Sequence, residues 1–352
     1  MNNEFLRTLL DMPSPTGFEA RAAKAWRAEA AGFADRTWSD AHGNSFAAVN
    51  EAGRPRVMLA GHIDEIGLLI TYVDDKGFLS FCTLGGFDPQ VLPGQRVRLL
   101  TRQGTILGVI GRRPIHLLRE EEDKKVVKVA DLWIDIGARD KKDAEGLVEV
   151  GDAAVLDYGF EELRDGLLVA RGFDDRIGAI VVLEAARLLA SKRPSCGVVA
   201  VATVQEEIGM RGAVTSAFGL DPAVGIAVDV TFAMDAPGSE SDKKKIGDIA
   251  LGKGPVLLRG PNANPALYRL FVEVAADCGI PYQIELDPRA TGTDAAAIQI
   301  TRSGVPTALV SVPNRYMHSP CEMVHLSDVE QCARLIAETC ARIDGRMSFL
   351  AE

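Results

Sequence analysis

The sequence predicts an α/β protein whose largely parallel sheet is interrupted by a β-rich insertion. Three observations carry this. Short apolar runs bounded by turn residues recur at 56–61 (RVMLAG), 167–173, 197–205 (GVVAVATVQ), 223–228 and 307–313. Runs of this length and composition read as strands buried on both faces, as in parallel sheets. Amphipathic segments of helical period lie among the later runs. Between about residues 67 and 164 the texture differs, with alternating and β-branched stretches cut by Gly and Pro.

In chain order, residues 18–31 are rich in Ala, Glu, Arg and Lys and read as a helix. Residues 37–49 and 56–61 read as strands. Residues 67–111 carry the signature of short antiparallel strands in a small barrel or sandwich. The charge run at 119–128 (REEEDKKVVK) reads as a solvated loop. Residues 131–155 hold a further strand and helix. After Leu167 the alternation of strand and helix resumes, with helices at 177–189, 266–278 and 328–343. Residues 237–246 (PGSESDKKKI) read as a mobile surface loop. The simplest division is one domain made of 1–66 and 165–352, with 67–164 inserted in it.

At 352 residues the chain has room for a large core. Hydrophobic residues make up 47% and charged residues 25%, as in ordinary globular proteins. The net charge of −10 argues against a nucleic-acid binder, which needs a basic face. Six cysteines occur singly, with no CxxC pair, which implies reduced thiols and a cytoplasmic setting. The N-terminus lacks the basic and apolar regions of a signal peptide. No apolar run reaches the roughly 18 residues that span a membrane.

All five apolar runs lead to histidine or acidic residues. They are His62, Asp64 and Glu65; Asp174 and Asp175; Glu206 and Glu207; Asp229; and His318. In parallel sheets the ligand site lies off the carboxyl ends of the strands. The ends therefore predict a convergent pocket rich in oxygen and nitrogen donors, and charges gathered in a pocket are paired or hold a metal. Taken singly each residue has a plainer reading. His62 would be a satisfied core histidine, Asp174 or Asp175 a helix cap, and the two glutamates a solvated turn. Taken together, His62, Asp174, Glu207, Asp229 and His318 are five candidate ligands, about what a two-metal site with one bridging carboxylate requires. Asp64 is placed to orient His62, because ligand histidines donate their other N–H to a carboxylate or carbonyl. Of the glutamate pair, one would balance a metal and the other act as a general base. Arg176 would neutralise the adjacent Asp175. Mixed His/Asp/Glu ligation suits zinc, cobalt or manganese. His42, His116 and His325 lack such a setting.

The segments SPTGFE (14–19), AGHIDEIG (60–67), LGGFDPQVLPGQRV (84–97), DLWIDIGA (131–138), FDDRIG (173–178), TVQEEIGMRGA (203–213), AVDVT (227–231), GTDAAAIQ (292–299) and PNRYMHSP (313–320) follow one another along nearly the whole chain. Together they resemble the tetrahedral or glutamyl aminopeptidases. These are co-catalytic metallopeptidases of the MH clan, often labelled endoglucanases or cellulases. The resemblance implies a doubly wound α/β catalytic domain on a mixed, mostly parallel sheet, with an inserted PDZ-like or small β-barrel domain. It implies His62 and Asp229 as ligands of one metal, Glu207 and His318 as ligands of the other, and Asp174 as the bridge. Glu206 corresponds to the general base and Asp64 to the residue supporting His62. It further implies two divalent ions per chain, short peptides as substrates, and dimers assembled into tetrahedral dodecamers. Neither nucleic acid nor membrane is an expected partner.

Two other readings follow from the same residues. A related two-metal carboxypeptidase or amidohydrolase would need a basic group for the substrate's terminal carboxylate, and Arg315 is its best candidate. A glycosidase would use paired carboxylates, but it needs neither two histidines nor an extra aspartate, and 6% aromatic residues offer few sugar platforms. The preferred N-terminal residue is not legible, because Arg259, Arg289 and Arg302 cannot be placed from sequence.

Overall fold

Alternation along the strands builds two apolar layers around one sheet. In strand β3 (Arg56–His62), Val57 and Leu59 face one layer while Met58 and Ala60 face the other. The first layer is covered by helices Ala20–Ala30, Phe173–Lys192, Pro265–Cys278 and Leu326–Arg342. The second is covered by Arg211–Leu220 and Asp294–Gln299. Helices on both faces of a mainly parallel sheet make the protein doubly wound.

The computed structural model describes residues 1–117 and 126–350. The expected charged loop therefore lies outside the described residues from 119 to 125. In chain order the strands are β1 (Arg36–Ser39), β2 (Ser45–Val49), β3, β4 (Gly67–Val73), β5 (Leu79–Leu84), β6 (Arg96–Thr101), β7 (Gly104–Gly111), β8 (Trp133–Asp135) and β9 (Ala153–Leu156). They continue with β10 (Glu161–Glu162), β11 (Leu167–Ala170), β12 (Gly197–Thr203), β13 (Val224–Phe232), β14 (Val256–Arg259), β15 (Gln283–Leu286), β16 (Thr307–Asn314) and β17 (Glu322–His325). The eight-stranded sheet runs β1-β2-β12-β3-β13-β16-β14-β15. Its centre, β12-β3-β13-β16, is parallel, and antiparallel pairings flank it. The carboxyl ends of the four central strands therefore open on one edge of the sheet.

Strands β4-β5-β8-β7-β6-β9 close into an antiparallel barrel filled by Leu68, Ile70, Phe81, Val97, Leu99 and Ile134, among others. The expected β-rich insertion thus forms a closed barrel, and closure leaves no free strand edge in it.

Four expectations need correction. Residues 37–49 are not one strand but the hairpin β1–β2. Asp40 Oδ1 accepts from the backbone N–H groups of His42, Gly43 and Asn44, the turn chemistry Asp and Gly favour. The run at 167–173 does not enter the main sheet. Its strand, β11, pairs antiparallel with β10 and β17 in a small separate sheet. Gly172 at φ +60° breaks the run, and Phe173 already begins a helix. Helix Asn3–Asp11, capped by Asn2, was not anticipated. The expected surface loop at 237–246 contains a short helix, Lys243–Ile246. All six cysteines are free thiols. Among the described residues no helix is long and apolar enough to cross a membrane.

Candidate metal centre

The ends of β3, β12 and β13 and the start of helix Phe173–Lys192 meet over the sheet, and a loop after β16 closes over them. His62, the last residue of β3, is almost wholly buried. Its Nε2 lies 3.1 Å from Asp174 Oδ1, and the other oxygen of Asp174, Oδ2, lies 3.1 Å from His318 Nε2. One carboxylate therefore stands between two imidazoles and uses a different oxygen for each. That is the geometry a bridging ligand needs. Glu207 Oε1 lies 3.7 Å from His318 Nε2, and Glu206 Oε2 lies 3.7 Å from His62 Nε2. Asp229, in the second half of β13, is buried and lines the same cavity.

Asp64 does more than orient His62. Its carboxylate lies 3.4 Å from His62 Nδ1. Its two oxygens also accept the backbone N–H groups of Glu206 and Glu207, at 3.1 and 3.2 Å. Strand β12 has ended at Thr203, and Gln205 takes φ +56°. Alternation stops there, so both glutamates can face one cavity. Glu19 accepts the N–H of Gln205 at 3.2 Å and supports the same turn from the other side.

Asp174 and Asp175 are fixed separately. The N–H of Asp174 donates to Glu322 Oε2 at 2.8 Å, and Asp175 accepts from His62 N–H and Gly178 N–H at 3.1 and 3.0 Å. Arg176 does not neutralise Asp175. Its guanidinium turns back toward the start of the helix, reaching Glu65 Oε2 at 3.1 Å and the Gly172 carbonyl at 3.1 Å. Arg171 binds Glu65 as well, so Glu65 anchors two buried guanidinium groups beside the site.

The barrel enters the site through the turn after β5. A Cβ on Gly85, which sits at φ +79°, would lie 2.7 Å from Ile66 Cγ2 and 3.1 Å from Glu207 Oε2. One on Gly86 would lie 3.3 Å from His318 Nδ1. The backbone of Gly86 also hydrogen-bonds His318 and favours its protonated form. Glycine lets the barrel turn press against two candidate ligands.

Electrostatically the cluster lacks positive charge. Burial pushes the carboxyls of Asp229 and Glu207 well up, with Asp174 adding to both, and burial raises Glu206 to about 8. Asp174 alone goes the other way. Burial opposes its ionisation, but its bonds to His318 and His62 hold it well below the ordinary range. Glu207 Oε1 is buried without a hydrogen-bond partner. Two groups, His62–Asp174–Glu207 and His62–Asp175–Asp229, offer ligand atoms within 4.8 Å of one another. An orphaned buried oxygen and surplus carboxylates around two imidazoles fit a divalent cation, which would supply the missing charge.

The structure thus brings together all seven residues singled out in the sequence. Sequence reasoning missed Glu322 and the roles of Glu19 and Asp294. Asp294 is buried and accepts from Thr203 Oγ1 at 2.6 Å, and its charge helps raise Glu206. Glu19 and Asp294 lie in quoted motifs, but only the fold shows what they touch. Glu322 is 148 residues from the Asp174 N–H it accepts, and no local pattern signals that. Arg315 is engaged elsewhere, its Nε and Nη2 each 2.7 Å from an oxygen of Asp235. His325 caps the last helix, its Nδ1 accepting from Ser327 N–H.

Comparison with known proteins gives a consistent answer. The M42 glutamyl aminopeptidase family matches residues 43–335. The chain is 38% identical to a lysyl aminopeptidase of Pyrococcus furiosus over 335 residues, covering 94% of each. A TET aminopeptidase from a marine sediment archaeon of the Thaumarchaeota superposes with a TM-score of 0.93 at 35% identity, covering 97% of this chain and 96% of that one. The TET1 peptidase of Pyrococcus horikoshii, described as assembling into a tetrahedron or a large octahedral shell, gives 0.87 at 36% identity, covering 97% and 99%.

Proposed function

Because this chain belongs to the M42 glutamyl aminopeptidase family and is a metal-dependent aminopeptidase, we propose the roles its site residues take. His62 and Asp229 would hold one divalent ion and Glu207 and His318 a second, with Asp174 shared between them. Zinc or cobalt suits these donors best, ahead of manganese. The observation that carries this reading is the position of Asp174, one oxygen toward each histidine. Two such ions supply Lewis acidity to the scissile carbonyl and acidify the attacking water. Glu206 acts as the general base. Its Oε2 lies 3.7 Å from His62 Nε2 in the same cavity, which places it to take a proton from the attacking water and return it to the leaving amine. Asp64 holds His62 and both glutamate backbones in register, and Glu322 and the Gly86 turn fix Asp174 and His318.

Substrates are short peptides with a free N-terminus. Acidic side chains around the cavity favour a positively charged substrate end. The cavity is lined by no lysine or arginine among the described residues, so nothing in it clamps a terminal carboxylate as a carboxypeptidase would. One peptide in three forms tests this. The free and C-amidated forms should be cleaved and the N-acetylated form spared; comparable cleavage of the acetylated form would overturn the reading.

The protein self-associates, as dimers and then a tetrahedral dodecamer, a reading supported by the assembly described for the similar archaeal peptidase. The closed barrel removes exposed insertion edges as the cause. Light scattering should give a mass well above 37.8 kDa, and a monomer across concentrations and metal loads would refute self-association. Six free thiols support a cytoplasmic location, which cell fractionation checks. The family description names glutamyl and a relative's name lysyl, so membership leaves the preferred residue open.

A further inference from the structure

We infer that the cavity beside the candidate ligands is a subsite for a cationic side chain, the ammonium or guanidinium of an N-terminal lysine or arginine, held by Glu285 and Asp287. The inference rests on the aminopeptidase reading and assigns its substrate class.

The cavity has a volume of about 490 Å³ and runs from Asp174, Glu206 and Asp229 along β13 to the end of β15. Residues two apart on a strand share a face, so Thr231 follows Asp229 on the cavity side. Glu285 and Asp287, at the end of β15, form the far wall. Neither has an ion-pair partner among the described residues, and neither belongs to a metal-capable group. Burial raises the Glu285 carboxyl, and repulsion from Asp287 adds to this. The site thus holds two carboxylates with nothing to balance them.

One unpartnered hydroxyl points the same way. Ser311, 1% exposed and in register with Asp229 on the neighbouring strand, has an unbonded Oγ. Thr231, 4% exposed, lies beside Glu285, and its hydroxyl favours the charged form of that carboxyl. Both line the cavity. Carboxylates and hydroxyls are acceptors for the several N–H donors of a lysine or arginine head. Leu309, Met317 and Phe232 supply apolar wall for the aliphatic stem, which lysine and arginine pack along such surfaces.

Three arginines are engaged elsewhere: Arg315 with Asp235, Arg302 with the Phe218 carbonyl and ring, and Arg259 over Tyr268. Arg289, whose backbone N–H donates to Asp287 at 2.9 Å, does not line the cavity. An acidic N-terminal side chain would meet like charge at Glu285 and Asp287, with no lysine or arginine among the residues lining the cavity to receive it. A third metal is disfavoured because the cavity offers no histidine or cysteine beside these two carboxylates.

The experiment measures kcat/KM of the metal-loaded enzyme on lysyl, arginyl, leucyl and glutamyl nitroanilides. Lysyl and arginyl substrates should exceed leucyl by roughly tenfold or more, with glutamyl poorest. In Glu285→Gln with Asp287→Asn the lysyl-to-leucyl ratio should fall roughly tenfold, with the loss mainly in KM. Circular dichroism and metal content report whether the variant is intact, and each single substitution should move the ratio part of the way. A glutamyl preference in the native enzyme, or an unchanged ratio in the folded double variant, overturns this inference and leaves the aminopeptidase reading standing. No hydrolysis of any of the four substrates by metal-loaded enzyme overturns both.

Discussion

Glu206→Gln is expected to lower kcat by about 100- to 10,000-fold while metal content and fold persist. Glu206 is buried beside His62, and its backbone, not its carboxylate, is what Asp64 holds. The amide keeps the size of the side chain and its hydrogen-bonding capacity but cannot take a proton. Glutamine also removes one of the carboxyls that crowd the site, so metal retention should not suffer. KM should change little, because the group acts on the proton in transit rather than on the bound substrate. Steady-state kinetics on a leucyl nitroanilide, with elemental analysis of the same preparation, checks this. Near-native kcat with full metal would show that another group is the base.

Asp174→Asn is expected to lose metal, at both sites, and activity with it. Asp174 offers a separate oxygen toward each histidine, and it is the carboxylate most strongly held in its charged form. Asparagine presents one oxygen and one N–H₂, so it can face only one ion as a ligand and turns a donor toward the other. Removing one of the charges that balance the ions weakens what remains. His318→Ala, by contrast, should deplete mainly one ion, because His318 contacts Asp174 and Glu207 but not the His62 end of the cluster. Elemental analysis after dialysis distinguishes the two variants. Two metals per chain retained by Asp174→Asn would remove its bridging role. Circular dichroism separates metal loss from unfolding.

The strand ends carried most of the site in plain view. His62, Glu206 and Glu207 end or follow buried apolar strands that the sequence marks clearly, Asp229 lies in the second half of another, and a parallel sheet sends such ends to one edge. The barrel was legible from its alternation and its glycines, though closure was not, because closure depends on how β4 meets β9 over 80 residues away. The hairpin at 37–49 was hidden because its first arm, Arg36–Ser39, is short and mostly polar, and the Asp40 turn reads as strand unless its side-chain bonds are considered. The run before Asp174 misled for the opposite reason. It is apolar enough for the main sheet, but Arg171 belongs to Glu65, and the chain leaves for a helix at Gly172.

By itself the sequence determined the fold class, the interrupted βα pattern and the seven residues that converge, because periodicity and strand ends are local properties of the chain. The tertiary structure alone decided which partner each residue has. It turned Arg176 away from Asp175, tied Arg315 to Asp235, gave Asp64 both glutamate backbones, and set Glu285 and Asp287 across the cavity from Asp229. Those pairings join residues tens to hundreds of positions apart. They are fixed by packing geometry and by the need to satisfy each buried charge, which no local pattern encodes.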